Sequence, residues 1–388
     1  MLQPATIDEL AGLFAEAAAR GRKIELRGGG SKSSLGADRQ ADIVDMRSFS
    51  GIADYDPPEL VLTVGAGTPL AEVERLVDNQ NQMLAFDPFD HGPVLGGTSG
   101  QATIGGVITA GVGGSGRLTA GGARDHLLGF TAVSGRGERF VGGGKVVKNV
   151  TGYDLPKLVA GSWGRLVALT EVTLKVLPRP PVVVTMAVAG LDHHAAQRAM
   201  ACAMGSSAEV GAAAHLPVGP DSTALTLFRV PGFAPSVAAR CAALPELLRD
   251  HGRLFALPED EAAVCWTAIR EVRPLRDAPV LWKINVAPSS GPALVDHFAP
   301  LGASWLFDWA GGLVWLGFDG NPGLVRQAAE AVGGHATLVR APDALRNTLP
   351  MQHPRMPGVA ALEARVRRAF DPAGIFETGR FLDDNDAH

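Results

Sequence analysis

The chain has 388 residues, of which 46% are hydrophobic and 19% charged, a composition typical of a soluble protein large enough for two domains. Its formal net charge of -5 lacks the basic excess that binding a nucleic-acid backbone requires, so we expect no nucleic-acid partner. The cysteines Cys202, Cys241 and Cys265 are too far apart in sequence for a CxxC metal pair or an iron–sulfur cluster, which indicates reduced thiols in a cytoplasmic protein.

Two stretches of sequence bear on membrane targeting. Asp8 and Glu9 lie near the N-terminus without a long apolar core, which argues against a secretory signal peptide. The uncharged run 92–116 is rich in glycine, threonine, serine and glutamine rather than aliphatic residues, and we interpret it as a cofactor loop. We therefore expect a cytoplasmic protein without direct membrane insertion.

Short strands and helices alternate through the first 180 residues. Thr6 and Glu9 form a capping box ahead of apolar residues at helical spacing, which predicts a helix that ends at Gly21. A second helix is predicted to begin at Pro69. Strands are predicted over 23–26, 43–46, 60–64, 127–133, 139–141 and 166–177. The prolines between 178 and 181 indicate a domain boundary.

The remainder of the chain has the pattern of a second α+β domain. Strands are predicted over 182–188, 224–230 and 280–286, and helices over 194–204, 237–248 and 260–270. A hairpin over 305–318 and helices over 322–332 and 358–370 follow. We expect three parts, a cofactor domain over 1–180, a smaller domain over 181–345 and a C-terminal helix and tail over 346–388.

Three glycine-rich loops in the first part predict a large cofactor that contains a diphosphate. Residues without a Cβ atom let backbone N–H groups converge on a phosphate, and Ser31 and Lys32 can add a donor and a charge. The second loop contains Thr103, Gly105 and Gly106, and the third spans 142–154. The first loop follows a predicted strand and comprises Arg27, Gly28, Gly29, Gly30, Ser31, Lys32 and Ser33.

The order of these loops resembles the FAD-linked oxidase family, whose FAD domain is of the PCMH (vanillyl-alcohol oxidase) type. The resemblance covers about 6–180 and returns over 370–380. Within the family, the chain is similar to the FAD-binding subunits of glycolate oxidases. The resemblance implies an α+β fold, in which a two-part FAD domain precedes a smaller cap domain and the C-terminal tail returns to the FAD domain. It is carried by Arg-Gly-Gly-Gly-Ser from position 27, Ala-Thr-Ile-Gly-Gly from 102, Arg-Asp-His-Leu-Leu-Gly from 124 and Val-Val-Lys-Asn-Val-Thr-Gly-Tyr-Asp-Leu from 146.

The resemblance also implies which residues contact FAD. Ser31 stands near the position where some relatives have a histidine bonded to flavin, so we expect non-covalent FAD. Val167 stands where the family has a glycine, and its side chain adds bulk where the backbone is expected to approach the flavin. The predicted contacts are Arg27, Gly28, Gly29, Gly30, Ser31, Lys32, Ser33, Pro88, Thr103, Gly105, Gly106, Arg124, Asp125, Asn149, Gly152, Tyr153, Gly164 and Leu169.

No catalytic or metal-binding residue can be nominated from the sequence. Relatives that oxidise 2-hydroxy acids carry a His-x-Gly-Asp-Gly-Asn-x-His motif, whereas Asp319-Gly320-Asn321 here lacks both flanking histidines. His193 and His194 are adjacent, so we expect them on different faces of a helix, where they would form a poor metal pair.

Three hypotheses remain open. The first is an FAD-binding subunit of a glycolate oxidase complex, which oxidises glycolate, a small 2-hydroxy acid, to glyoxylate. Its partners would be a catalytic flavoprotein subunit and an iron–sulfur subunit, and only these would attach it to the inner membrane. The second is a self-sufficient FAD-dependent 2-hydroxy-acid or alcohol oxidoreductase with its pocket between the domains, and with Tyr153 or Arg273 as base or carboxylate clamp. The third is a non-catalytic scaffold that retains the fold, which Val167 favours.

Overall fold

Two parallel strands and one helix form the N-terminal part of the molecule, which a computed structural model describes over residues 1–145, 152–219 and 221–382. Helix α1 (Ile7–Ala19) begins at Thr6, whose hydroxyl accepts a hydrogen bond from the Glu9 backbone at 3.2 Å. The Glu9 carboxylate accepts one from Ala5 N at 2.7 Å, so both side chains of the predicted capping box act at the helix N-terminus. Strands β1 (Ile24–Arg27) and β2 (Asp42–Asp45) pair in parallel beneath this helix.

An antiparallel five-stranded sheet follows. Its strands are β3 (Ile52–Asp56), β4 (Val61–Gly65), β6 (Leu127–Ser134), β7 (Arg139–Gly143) and β8 (Val167–Lys175), in the order β3-β4-β8-β6-β7. The accompanying helices are α2 (Leu70–Asp78), α3 (Ile104–Ala110), α4 (Arg117–Ala120), α5 (Ala123–His126) and α6 (Leu155–Val159). A further pair, β5 (Gln82–Met83) with β9 (Leu177–Pro178), completes this part. Two separate sheets in this part of the chain are what the family resemblance implies for a two-part domain.

The rest of the chain is built on an antiparallel eight-stranded sheet with the strand order β13-β10-β12-β11-β15-β16-β14-β17. Its strands are β10 (Val182–Ala189), β11 (Ala212–Leu216), β12 (Leu225–Gly232), β13 (Leu254–Ala256), β14 (Leu281–Asn285), β15 (Ser304–Asp308), β16 (Leu313–Gly317) and β17 (His335–Arg340). Its helices are α7 (His193–Met204), α8 (Ala234–Leu247), α9 (Glu259–Arg270), α10 (Gly291–Phe298), α11 (Pro322–Ala331) and α12 (Asp343–Arg346). The predicted α+β character of this second part is confirmed.

The eight-stranded sheet is apolar on both faces, because side chains alternate between the faces along each strand. Phe228 and its neighbours on one face pack under α7, α8, α10 and α11. Leu227 and its neighbours on the other face belong to the core that α9 shares with the five-stranded sheet. The core therefore continues from one sheet to the other. None of the helices within the described ranges has both the length and the hydropathy needed to cross a bilayer.

The C-terminal segment returns to the N-terminal part, as the resemblance implies. After α13 (Pro357–Phe370), the carbonyl of Ile375 accepts a hydrogen bond from Ile24 N at 2.7 Å. The ring of Phe376 packs edge-on against Phe14 of α1, with 5.2 Å between ring centres. Backbone and side-chain contacts thus join the last residues to the first strand and the first helix.

We expect Asp371→Ala to weaken the packing of the C-terminal segment against the N-terminal part. The buried Asp371 carboxylate accepts hydrogen bonds from the backbone N–H groups of Ile375 at 3.0 Å and Phe376 at 2.8 Å. Removing it leaves two buried donors unpaired, so the free energy of unfolding should fall by about 2 kcal/mol. Urea denaturation at pH 7 measures this loss. Glu363→Ala, which removes an exposed ion pair from α13, is the control, and an equal loss in both variants would contradict the assignment.

Candidate functional site

A cleft opens where the three-glycine loop after β1 faces the N-terminus of α3. This loop cleft encloses about 760 Å³ of non-protein space, part of it continuous with solvent. Its lining brings together residues of three sequence segments, 25–33, 103–110 and 163–169, with Met46, Ala66 and one residue of the C-terminal tail, Arg380. The predicted residues in the lining are Arg27, Gly28, Gly29, Gly30, Ser31, Lys32, Ser33, Thr103, Gly105, Gly106, Gly164 and Leu169.

The glycines are required because two backbone segments approach each other closely. A Cβ atom on Gly28 would lie 2.2 Å from Thr103 Oγ1, and one on Gly29 would lie 1.6 Å from the carbonyl oxygen of Gln101. Gly30 has a φ of +81°, which residues other than glycine rarely adopt. The sequence Gly28-Gly29-Gly30 therefore allows the backbone itself to form a wall of the cleft.

Cationic side chains dominate the polar lining of the loop cleft. Arg27, Lys32 and Arg380 line it together with one carboxylate, Glu25. Arg27 at 3.0 Å and Arg39 at 2.7 Å both pair with that carboxylate, so Glu25 is already neutralised. Burial lowers the pKa of Lys32 to about 8. Lys32 and Arg380 have no ion-pair partner among the described residues, so a diphosphate in this cleft would find two unpaired cations, and its charge would stabilise protonated Lys32.

The lining of the loop cleft also includes residues that are not among the predicted cofactor contacts. Trp163, with a φ of +58°, and Ala110 belong to the lining, and the fully buried Val167 contributes to its wall. Arg380 donates hydrogen bonds to the carbonyls of Leu35, at 3.0 Å, and Lys32. Gly379-Arg380 lies within the C-terminal segment that carries the family resemblance. That resemblance is the sequence signal that could have identified Arg380.

Some predicted contacts lie outside the lining of the loop cleft, namely Pro88, Arg124, Asp125, Gly152 and Tyr153. Pro88 lines a separate groove. Asp125 accepts a hydrogen bond from Gly122 N at 2.8 Å and so stabilises the start of α5. Tyr153 is 91% exposed, and Asn149 lies outside the described residues. That these residues contact the cofactor stays a prediction.

A second cleft of about 820 Å³ lies between the FAD domain and the eight-stranded sheet. This interdomain cleft shares Ala110 and Trp163 with the loop cleft, so the two spaces adjoin. Lys283 of β14 and Arg270 of α9 contribute the cations of its lining. Neither Tyr153 nor Arg273, the residues that the sequence suggested for such a pocket, lines it; Arg273 instead pairs with Glu271 at 2.7 Å.

Lys283 has no hydrogen-bond or ion-pair partner among the residues that the structure describes. Its Nζ lies 5.4 Å from the ring centre of Trp309 and 6.0 Å from that of Trp315. Burial, with a further contribution from Arg117, lowers the pKa of Lys283 to about 8. The nearby Asp308 does not pair with it, because its carboxylate accepts from Ser115 Oγ at 2.9 Å and Trp309 N at 2.8 Å. Lys283 is therefore available to a small anion.

His91 adds a proton acceptor to the interdomain cleft. Its ring stacks on Phe89, with 4.7 Å between ring centres, and its buried Nδ1 has no hydrogen-bond partner in the described part of the chain. Burial, together with the charges of Lys32 and Lys283, holds the pKa of His91 well below its usual 6.5. The imidazole is neutral at neutral pH and can accept a hydrogen bond from a bound ligand, and an anion that offset the charges of Lys32 and Lys283 would raise its pKa and with it its ability to accept a proton.

The two-part domain and its glycine-loop cleft define an FAD-dependent oxidoreductase of the PCMH type. An FAD binding domain family model matches residues 1–142. The structure superposes on p-cresol methylhydroxylase with substrate bound, with a TM-score of 0.72 and 15% sequence identity over 100% of this chain and 89% of that chain.

Sequence comparison gives the family. The chain is 33% identical over 366 residues to glycolate oxidase subunit GlcE of Escherichia coli (strain K12), covering 92% of each protein. It is 32% identical over 134 residues to glycolate oxidase subunit GlcD of Bacillus subtilis (strain 168), covering 34% of this chain and 27% of that one. The chain belongs to the family of glycolate oxidase subunit GlcE.

We expect Gly29→Ala to abolish FAD binding. The added methyl group would overlap the Gln101 carbonyl and force the two walls of the loop cleft apart. FAD released by denaturation should fall at least tenfold per folded chain. Gly12→Ala is the control, because a Cβ atom there meets nothing within 4 Å and helix α1 should gain about 1 kcal/mol. A Gly29→Ala protein that retains stoichiometric FAD would show that this close approach is not needed.

Proposed function

We propose that this chain is the FAD-binding subunit of a complex that oxidises glycolate to glyoxylate. The loop cleft carries the proposal, because its backbone wall and the positive charges of Lys32 and Arg380 suit a dinucleotide diphosphate. Membership of the GlcE family supports the same reaction. FAD would supply the acceptor for the hydride that leaves the substrate carbon. The proposed division of the chain at about 180 follows the end of β9 at Pro178 and precedes the start of β10 at Val182.

Two basic residues of the loop cleft are proposed to hold the diphosphate. Lys32 offers an ammonium group beside Ser31 Oγ, 3.3 Å away, and Arg380 fixes the loop from the tail. Ser31 cannot form the covalent bond that a histidine can, so binding is proposed to be non-covalent. The other predicted residues in the lining contribute backbone and van der Waals contacts.

The adjoining interdomain cleft is proposed as the place for glycolate. Lys283 and Arg270 would bind its carboxylate, and the neutral His91 would accept the hydroxyl proton as the hydride leaves. Electrostatic attraction would be strong here because Lys283 lies deep in the protein, where water screens charge weakly. This arrangement favours a chain that takes part in the chemistry over a scaffold without flavin.

Electrons are proposed to leave through partner subunits, a second flavoprotein and an iron–sulfur protein. The three cysteines are free and lie on different elements, α7, α8 and α9. No cysteine belongs to a group of potential metal ligands within the described ranges. A cluster would therefore have to come from another chain, which the subunit names of the relatives also favour.

The visible spectrum of the purified chain tests the proposal. We expect a flavin spectrum and about one FAD released per chain, with bleaching by glycolate in the assembled complex. Bleaching in the isolated chain as well would identify this subunit as sufficient for substrate oxidation. A folded chain that carries no FAD would contradict the proposal. So would a complex in which all of the FAD is bound to other subunits.

Lys283→Gln should separate substrate binding from FAD binding. Losing the ammonium group should raise the glycolate concentration for half-maximal bleaching at least tenfold, with unchanged FAD content. In the native protein the same concentration should rise above pH 8, because Lys283 loses its proton as the pH passes its pKa of about 8. In the Lys283→Gln variant, the half-maximal glycolate concentration should not rise above pH 8. The control is Lys157→Gln, which changes an exposed lysine paired with Asp154. If the native protein and both variants needed the same glycolate concentration for half-maximal bleaching, Lys283 would not bind the substrate carboxylate.

A further inference from the structure

Two histidines and one aspartate converge outside both clefts, where the first turn of α7 meets α10. His193 Nε2 lies 2.7 Å from one carboxylate oxygen of Asp296, and His194 Nε2 lies 2.8 Å from the other. The histidine ring centres are 4.7 Å apart. The expectation that adjacent histidines point to different faces is wrong at this position, because both rings turn towards one carboxylate from the adjacent helix.

We propose that His193, His194 and Asp296 bind a divalent transition-metal ion of the zinc class. Their potential ligand atoms lie within 4.8 Å of one another, and they form the one such group in the described part of the chain. A tetrahedral Zn²⁺ with bonds of about 2.0–2.1 Å needs ligand atoms roughly 3.3 Å apart. The nitrogen–oxygen distances of 2.7 and 2.8 Å need to open by about half an ångström to reach that geometry, and the widest separation in the group, at most 4.8 Å, needs to close by up to about 1.5 Å.

The chemistry of the three ligands selects among metals. Two imidazoles and one carboxylate suit Zn²⁺, Ni²⁺ or Cu²⁺ better than Mg²⁺ or Ca²⁺, which prefer oxygen ligands. A helix N-terminus disfavours a cation, but Asp192 and Asp296 supply two carboxylates at this one. Asp192 already accepts a hydrogen bond from Ala195 N at 2.7 Å, so its charge is fixed beside the site.

The surrounding packing holds the ligands in place and leaves room for water. Trp305 packs edge-on against His193 at 5.5 Å and stacks on His215 at 5.6 Å. Asp296 lies on α10, whose other side is buried in the core. The side chains of His194 and Asp296 are 46% and 50% exposed, so water can complete the coordination. A bound metal would connect α7 to α10 on one face of the eight-stranded sheet.

Metal titration of the full, tag-free chain after treatment with a chelator tests this site. We expect one equivalent of Zn²⁺ to bind by calorimetry, and Ni²⁺ or Cu²⁺ to quench the fluorescence of Trp305. Binding should weaken between pH 8 and pH 6, because protons compete for the imidazoles. His194→Gln and Asp296→Asn should each weaken binding at least tenfold, with unchanged circular dichroism and unchanged FAD content.

His297→Gln is the matched control, since His297 is exposed, follows Asp296 on the same helix and contacts the ring of Phe298 instead. It should bind Zn²⁺ as the native chain does. Absence of stoichiometric binding by the native chain, or equal affinity in the His194→Gln variant, would overturn the site. FAD content is independent of this result, so its outcome and that of the proposed function can be told apart.

Discussion

The close contact between the backbone at Gly28-Gly29 and the segment 101–103 is the constraint on which the cofactor site depends. The contact joins the two parts of the FAD domain, because the glycines extend β1 and Thr103 begins α3. The far side of the segment is fixed as well, since Leu70 N donates to the Ala102 carbonyl and Ile104 N donates to the Thr68 carbonyl, both at 2.9 Å. The cleft width is therefore set by backbone hydrogen bonds and by the absence of a side chain.

The C-terminal tail makes the same site depend on both ends of the chain. Arg380 holds the carbonyls of Lys32 and Leu35, and a Cβ atom on Gly36 would lie 2.3 Å from the carbonyl of Arg380 itself. The loop is thus enclosed between β1 and residues more than 340 positions later in the sequence. The wall of the loop cleft is therefore complete only where the C-terminal tail packs against it, although its sequence motif lies at the start of the chain.

Structural features that depend on neighbouring residues could be predicted from the sequence, whereas features that depend on distant contacts could not. The capping box at Thr6 and the glycine loop act through neighbouring residues, so they could be predicted. Strand β3 was missed because its residues are mostly exposed and lack apolar alternation, and β11 was missed because its Ala-Ala-Ala sequence favours helix. The interdomain cleft could not be predicted, because His91 and Lys283 lie far apart in the sequence and belong to no common motif. They meet only because β14 lies between β16 and β17 in a sheet packed against the FAD domain.

The segment Asp319-Gly320-Asn321 lines neither cleft. Asn321 accepts a hydrogen bond from Gly323 N at 2.9 Å and begins helix α11, so its side chain stabilises the fold. Hydrogen bonds from Ser115 to Asp308, at 2.9 Å, and from Trp309 to Gly114, at 3.0 Å, cross between the domains and hold the cleft wall. Because Asp308 accepts the hydrogen bonds of that bridge, Lys283 has no ion-pair partner within the described ranges of the chain. Under the proposed function, it is this lysine that binds the substrate carboxylate, because the chain offers no histidine motif for that role.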